Sequence, residues 1–275
     1  MTGVLALCTL LILPASAWAV LYGANGAQGN PSSLLIINPA TGAVTSTVGP
    51  IGFALTGLAV HPLTGVLYGS TAMLDATAPR SLVQVDKVTG QGTLIGSFGV
   101  PSHTMADLTF GPDGTLYGWA EASLDDLHTI NLTTGQATRV GESGVGFNTR
   151  GSGIAATADA IYLAGDEGSG RFHLVDRTTG AATVVAFLNG RPRMAIAALT
   201  FGPSGVLFGV GLPIDSGPIL LTIDPATGNV TEVGATADFL DAIAFDPPAF
   251  PASVAVPVPT LSEAAFAVMA LLLTA

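Results

Sequence analysis

The side chains best placed to do chemistry in this sequence are scattered singly. His103, Asp107, Arg150, Arg193, Asp238 and Asp241 fall in irregular stretches between more regular segments. With Arg191, three of the eight basic residues of the chain lie in two of these stretches, which makes a local positive spot on an otherwise acidic protein. Such a spot could bind an anionic small molecule or a polysaccharide. The plainer alternative is charge that merely solvates loops.

Assembled catalytic motifs are missing. The sequence has no H-E-x-x-H pair, no P-loop and no G-x-S-x-G elbow, so no catalytic residue is expected. The four histidines, His61, His103, His128 and His173, occupy unpaired contexts. His61 stands where a turn residue is expected, and His128 and His173 share one strand position in successive repeats. Asp125-Asp126 and Asp166-Glu167-Gly168 are the nearest approach to a calcium loop, but neither has the alternating acids that such a loop needs. They are expected to solvate loops, and no metal and no cofactor is expected.

What must position these residues is a repeat. Asp86-Lys87-Val88-Thr89-Gly90 follows an apolar alternating run, and four relatives end in Thr-Gly at Gly42, Gly135, Gly180 and Gly228. The spacing is 45 or 48 residues. An Asp or Asn that can bond the amides ahead of it, closed by a glycine, is a hairpin turn. Two further strand signatures share the period. One is a short apolar strand, as in Leu108-Thr109-Phe110 and Leu199-Thr200-Phe201; the other is Leu-Tyr-Gly, as at Tyr22, Tyr68 and Tyr117, with Tyr162 and Phe208 at the same register. Four short strands at this period describe a propeller blade.

The expected fold is therefore all-β, a propeller of five four-stranded blades. The first Leu-Tyr-Gly strand has no inner strand before it, and the inner strand over 241–246 has no Tyr strand after it. The two ends should complete one blade together and leave no free sheet edge. Blades are expected at 24–62, 63–112, 113–157, 158–203 and 204–247, with 20–23 added to the last. The aromatic at each Tyr register should pack blade against blade. Binding belongs to the loops that do not repeat, 51–56, 100–107, 142–152, 188–197 and 235–241.

Composition agrees. Only 10% of the 275 residues are charged and 49% are hydrophobic, with 35 glycines and 18 prolines. That mixture favours short strands and tight turns over charged helices. A net charge of −11 repels phosphate backbones, so no nucleic-acid partner is expected. Cys8 is the single cysteine, and it precedes the repeats.

The ends carry a different message. An apolar run over 4–14 leads to Ala17-Trp18-Ala19, the small-x-small pattern of a leader cleavage site, so residues 1–19 read as a signal peptide. The domain is expected over 20–249 and a Pro-rich linker over 250–258. Val258-Pro259-Thr260-Leu261-Ser262-Glu263 followed by an apolar segment resembles the IPTL-CTERM sorting signal, a relative of PEP-CTERM, so 259–275 read as that signal. The family pattern is Ile-Pro-Thr-Leu-Ser-Glu-Trp, and Val258 and Ala264 depart from it. The resemblance rests on Pro259, Thr260, Leu261, Ser262 and Glu263. It implies a transmembrane helix, transient inner-membrane anchoring in a Gram-negative cell, and processing by an exosortase-type partner. The apolar stretch spans about a dozen residues where a bilayer needs about 20, so the chain is expected to continue past Ala275 into a basic cluster. Short hydrophobic helices are expected at both ends.

Over residues 20–247 the repeats resemble secreted bacterial propellers of the YVTN/NHL-like kind. The expectation is a non-enzymatic, exported binding or scaffold protein at the cell surface or in the extracellular matrix, with a polysaccharide or another surface protein as partner. The alternative is a lactonase- or lyase-like enzyme at the channel mouth. Acids clustered at the axis would favour it, and an axis of Ala, Gly and Thr would oppose it.

Overall fold

The computed structural model describes residues 19–26, 29–100, 104–121, 125–146, 152–164, 170–190 and 194–253. Within them the chain forms 20 strands in five four-stranded antiparallel sheets. β1 (Val20–Asn25), β2 (Ser33–Ile37) and β3 (Val44–Pro50) share a sheet with the last strand of the chain. The second sheet holds β4 (Leu55–Val60), β5 (Leu67–Thr71), β6 (Ser81–Val85) and β7 (Gly92–Ser97). The third holds β8 (Thr104–Phe110), β9 (Leu116–Glu121), β10 (Asp126–Ile130) and β11 (Ala137–Arg139). β12 (Gly153–Ala156), β13 (Ala160–Ala164), β14 (Arg171–Asp176) and β15 (Ala182–Phe187) make the fourth. The fifth is β16 (Met194–Phe201), β17 (Leu207–Pro213), β18 (Ile219–Ile223) and β19 (Val230–Ala235). β20 (Leu240–Asp246) pairs with β1, with Leu21 opposite Phe245 and Tyr22 opposite Ala244.

This is the expected five-bladed propeller closed by its two ends. The blade boundaries differ from the expected ones by one strand. β4 pairs with β5 through the His61 turn, so that turn lies inside a blade and each blade begins at its apolar inner strand. The long non-repeating loops are what join blades. Among the described residues there is no helix, and both expected terminal helices fall outside them.

Inner strands are buried almost throughout, as in β16, whereas β3 and β19 hold only exposed and half-buried positions. The gradient explains the composition, since outer strands tolerate Thr while inner ones need Ala, Leu and Ile. The Tyr register packs across blade boundaries. Tyr68 meets Phe110 with ring centroids 5.6 Å apart, Tyr162 meets Phe201 at 6.0 Å, and Phe208 meets Phe245 at 5.3 Å. Two boundaries lack the second ring. Tyr22 packs in one core with Val60, and Tyr117 in another with Ala156.

The hairpin turns have a second task. In each, the Asp or Asn carboxyl or amide oxygen accepts from amides ahead, as Asp86 does from Val88 at 2.7 Å and Thr89 at 2.8 Å. Gly90 then takes φ +83. A Cβ there would stand 2.6 Å from the Gly49 carbonyl oxygen of the neighbouring blade. β3 bulges just before Gly49, as β7 does before Gly96, which turns each outer strand toward the next blade's hairpin. His61 replaces the carboxylate in a related turn, its Nδ1 accepting from Leu63 and Thr64.

Past β20 the chain crosses beneath the axis. Pro248, Ala249 and Phe250 cover the ends of all five inner strands, leaving a void of about 30 Å³. Phe250 packs into the core of Tyr117 and Ala156, where the inner-strand aromatic is missing. Pro251 accepts from the Ala158 amide at 2.9 Å, and Ser253 bonds both carboxyl oxygens of Asp159. Residues 250–253, the start of the expected linker, thus lie against the propeller.

Candidate functional site

The axis is closed by its own backbone. At the level one residue before Leu58, Leu108, Ile154, Leu199 and Ile243, the five inner strands carry Gly57, Asp107, Gly153, Ala198 and Ala242. A Cβ on Gly57 would stand 2.8 Å from the Asp107 Cα, and one on Gly153 would stand 2.6 Å from the Ala198 carbonyl carbon. Four minimal side chains let the strands converge, and Asp107 fills what remains. Its Oδ2 accepts from the amides of Ile154 at 2.9 Å and Leu199 at 3.1 Å, and its Oδ1 from Leu108 at 2.8 Å. One carboxyl thereby joins three blades.

Asp107 therefore departs from its expected place. It is 0% exposed, so a ligand at the mouth does not reach it, and its oxygens already serve inner-strand amides that would otherwise lack partners. Burial pushes its carboxyl well above the usual range, against the three amides, which favour the charged form.

One residue further up, the strands carry Thr56, Ala106, Ser152, Ala197 and Asp241. Thr56 donates to the Met105 carbonyl at 2.7 Å, and Glu121 at the end of β9 accepts from the Ser152 amide and hydroxyl. Asp241 sits at a bulge, because Ala24 pairs with Ala242 while Asn25 pairs with Leu240. A bulge re-aims a side chain at a sheet end, which frees Asp241 from the ladder. Asp241 as a residue is half-buried, but its carboxyl is crowded by protein. Burial first, and the charge of Glu121 second, push it up to about 7.

Beside this mouth lies a cleft of about 530 Å³. The end of β17 and the β17–β18 loop form one wall with Leu212, Ser216, Gly217 and Pro218, and the entry to β20 forms the other with Asp238, Phe239, Leu240 and Asp241. Asp238 Oδ1 leans to 3.6 Å from where a Cβ on Gly217 would stand. Phe239 holds φ +59, its carbonyl accepts from the Gly26 amide at 3.0 Å, and the residue is 64% exposed. A large apolar side chain with a left-handed backbone is costly and persists where surroundings impose it. Here it places an aromatic ring on the cleft wall.

Among the expected site residues, the structure brings Asp238 and Asp241 together and sends Asp107 into the axis. His103, Arg150 and Arg193 lie outside the described residues, as does Arg191. Sequence reading missed Phe239 and Glu121. The run Asp238-Phe239-Leu240-Asp241 was the available signal for Phe239, since the other joining loops bring no large aromatic so close to an acid at the strand entry. Glu121 had none, because a strand-terminal acid looks the same whether or not it faces an axis.

Asp126 also corrects an expectation. It solvates no loop but is buried, pairs with Arg139 at 2.7 Å and accepts from the Ser143 amide at 2.8 Å. Asp125 is buried beside it, its carbonyl accepting from the Ser143 hydroxyl. Asp166 and Glu167 lie outside the described residues. His128 and His173 are buried within their blades, and among the described residues no group of three or more His, Cys, Asp or Glu is arranged to hold a metal ion.

No protein-family model matches the chain, and no curated protein does either. Solved structures match in number, 560 chains in all, so the architecture is too widely shared to discriminate a function. TolB from Acinetobacter baumannii matches with a TM-score of 0.50 at 19% identity, over 78% of this chain and 52% of that one. The chain thus spans about half the length of that TolB. A protein of unknown function from Bacteroides caccae has a TM-score of 0.45 at 12% identity, covering 83% of this chain and 99% of the other. A puromycin hydrolase mutant has 0.40 at 19%, over 65% and 28%. At such identities the likeness to TolB concerns the propeller fold alone.

Proposed function

We propose that this chain is an exported propeller that binds a ligand in the cleft between the β17–β18 loop and the entry to β20, and serves as a binding or scaffold protein at the cell surface or in the extracellular matrix. The observation that carries the reading is the pairing of a sealed axis with an open, partly apolar cleft beside it. Ligand sites are concave, mostly apolar and furnished with a few convergent polar groups, which describes Leu212, Pro218 and Phe239 around Asp238 and Asp241. The non-enzymatic form is favoured because Gly57, Gly153, Ala198 and Ala242 line the axis and Asp107 is committed to backbone amides. Export and sorting rest on the leader-like residues 1–19 and on the IPTL-CTERM-like run Pro259, Thr260, Leu261, Ser262 and Glu263. An exosortase-type enzyme is then the processing partner.

One observation favours the enzymatic alternative. Asp241, titrating near 7 beside Glu121, has the property of a general acid. A lactonase- or lyase-like activity would be lost in Asp241→Asn.

The test is a melting-temperature screen of the chain against neutral and acidic sugars, organic amines and divalent ions. A rise produced by one class, and abolished by Phe239→Ala, is the expected result. No rise with any class would contradict a binding role. For sorting, the full-length protein should be processed near Pro259 in a host that carries an exosortase. Unprocessed export would contradict it.

A further inference from the structure

The described walls of the cleft are acidic, whereas the expected positive spot rested on Arg150, Arg191 and Arg193, which lie outside the described residues. Among the described residues that line it none is Lys, Arg or His, and the two charged ones are both carboxylates. Apart from Ser216 the rest of the lining carries no polar side chain, with Phe239 standing free of the core. We propose that the cleft takes an organic cation with an apolar or aromatic body, an alkyl- or arylammonium group whose charged end sits between Asp238 and Asp241 while its body lies on Phe239. This rests on the cleft being the binding site.

Three features carry the assignment. First, carboxylates on a partly apolar wall repel anions and attract an ammonium group, which they meet with charge-assisted hydrogen bonds. Second, the exposed ring supplies a face to the same cation or to its apolar body, a contact that strengthens as water is excluded. Third, a bare metal ion has too few ligands here, since among the described residues no suitable group of three exists. An alkylammonium needs only one or two acceptors and gains the rest from the apolar wall.

The charges around Asp241 add a dependence on pH. Glu121 on β9 raises the negative potential at Asp241 from the axis side, Asp107 on β8 lies below it with its own carboxyl pushed up by burial, Asp238 shares the cleft, and Asp215 lies on the exposed β17–β18 loop. With Asp241 titrating at about 7, its carboxylate is mostly charged at pH 8 and mostly neutral at pH 6. If binding requires the charged form, the apparent affinity falls about tenfold over those two units, in proportion to the competent fraction.

The experiment is calorimetric titration of the full chain with 2-phenylethylamine and with its neutral isostere 2-phenylethanol, at pH 8 and pH 6. The amine is expected to bind at least tenfold more tightly than the alcohol at pH 8, with the gap narrowing at pH 6. Asp238→Asn should weaken the amine alone, and Phe239→Ala should weaken both. Both residues are exposed, so these variants keep the fold. Equal binding of alcohol and amine overturns the cation assignment and leaves the cleft as a site. A sugar whose melting shift depends on Phe239, with no response to the amine, overturns it as well. No probe of any class sensitive to Phe239→Ala overturns both the assignment and the site.

Discussion

Asp107 Oδ2 stands 2.9 Å from the Ile154 amide, across a blade boundary, and the same oxygen reaches Leu199 one blade further on. The carboxyl is a pin through three inner strands. Asp107→Ala would leave those buried amides without acceptors, at about 1–3 kcal/mol each. The expected loss is roughly 3 kcal/mol or more in urea unfolding, and a melting point lower by about 6–12 °C for a chain of this size. Asp107→Asn keeps one acceptor oxygen and should lose less. A neutral Ala variant would show that the axis is held by packing alone.

Asp241 should make stability depend on pH in a direction opposite to ordinary acid unfolding. Its folded-state value of about 7 exceeds the unfolded carboxylate value, so the folded state holds a proton that the unfolded state releases. That contribution is complete below about pH 4 and disappears as pH rises through 7, amounting to about 4 kcal/mol at most. Wild type measured against Asp241→Asn isolates it. The wild-type advantage should shrink steadily from pH 4 to pH 7.5 and then level off, and a flat difference would contradict the burial of this carboxyl.

Much of this fold was legible in the sequence, and for a physical reason. Five copies of one unit force equivalent residues into equivalent places, so Tyr68, Tyr162 and Phe208 announced the blade-to-blade seams that they form. Ring closure followed from one unmatched strand at each end. The site was less legible because it depends on what breaks the repeat. Asp107 looked like a mouth residue until the inner strands could be aligned, and that alignment passes through bulges that no periodicity reveals. The cleft joins two segments some twenty residues apart, and a bulge decides which way Asp241 faces. Asp126 reads as a surface acid until its partner Arg139 is found across the hairpin.

The Thr-Gly turn supplies a test of the outer seam. Gly90 and Gly52 both hold positive φ, at +83 and +85, but a Cβ on Gly90 would meet the Gly49 carbonyl whereas one on Gly52 would meet nothing within 4 Å. Gly52→Ala should cost about 1 kcal/mol from backbone strain alone. Gly90→Ala should cost that plus the displacement of a neighbouring blade, roughly 2–4 kcal/mol in total. Equal costs would mean that the blades do not rely on that contact.

Residues 247–253 act as part of the domain. Phe250→Ala removes the ring that fills the space beside Ala156 and should cost about 1–2 kcal/mol, given its partial burial. Asp159, held below the usual carboxylate range first by the Ser253 hydroxyl, should move back toward that range in Ser253→Ala. Carboxyl carbon shifts followed by NMR between pH 2 and pH 6 would show it, and an unchanged midpoint would mean that the segment is not docked there.

The central claim, that ligand binds beside the axis and not through it, is tested most directly by mapping. Amide chemical shifts recorded as a ligand from the melting screen is added should move most at Ser216, Gly217, Phe239, Leu240 and Asp241, with little change at Leu108, Ile154 and Leu199. Shifts concentrated at the inner-strand amides, or on the face crossed by residues 247–253, would contradict it.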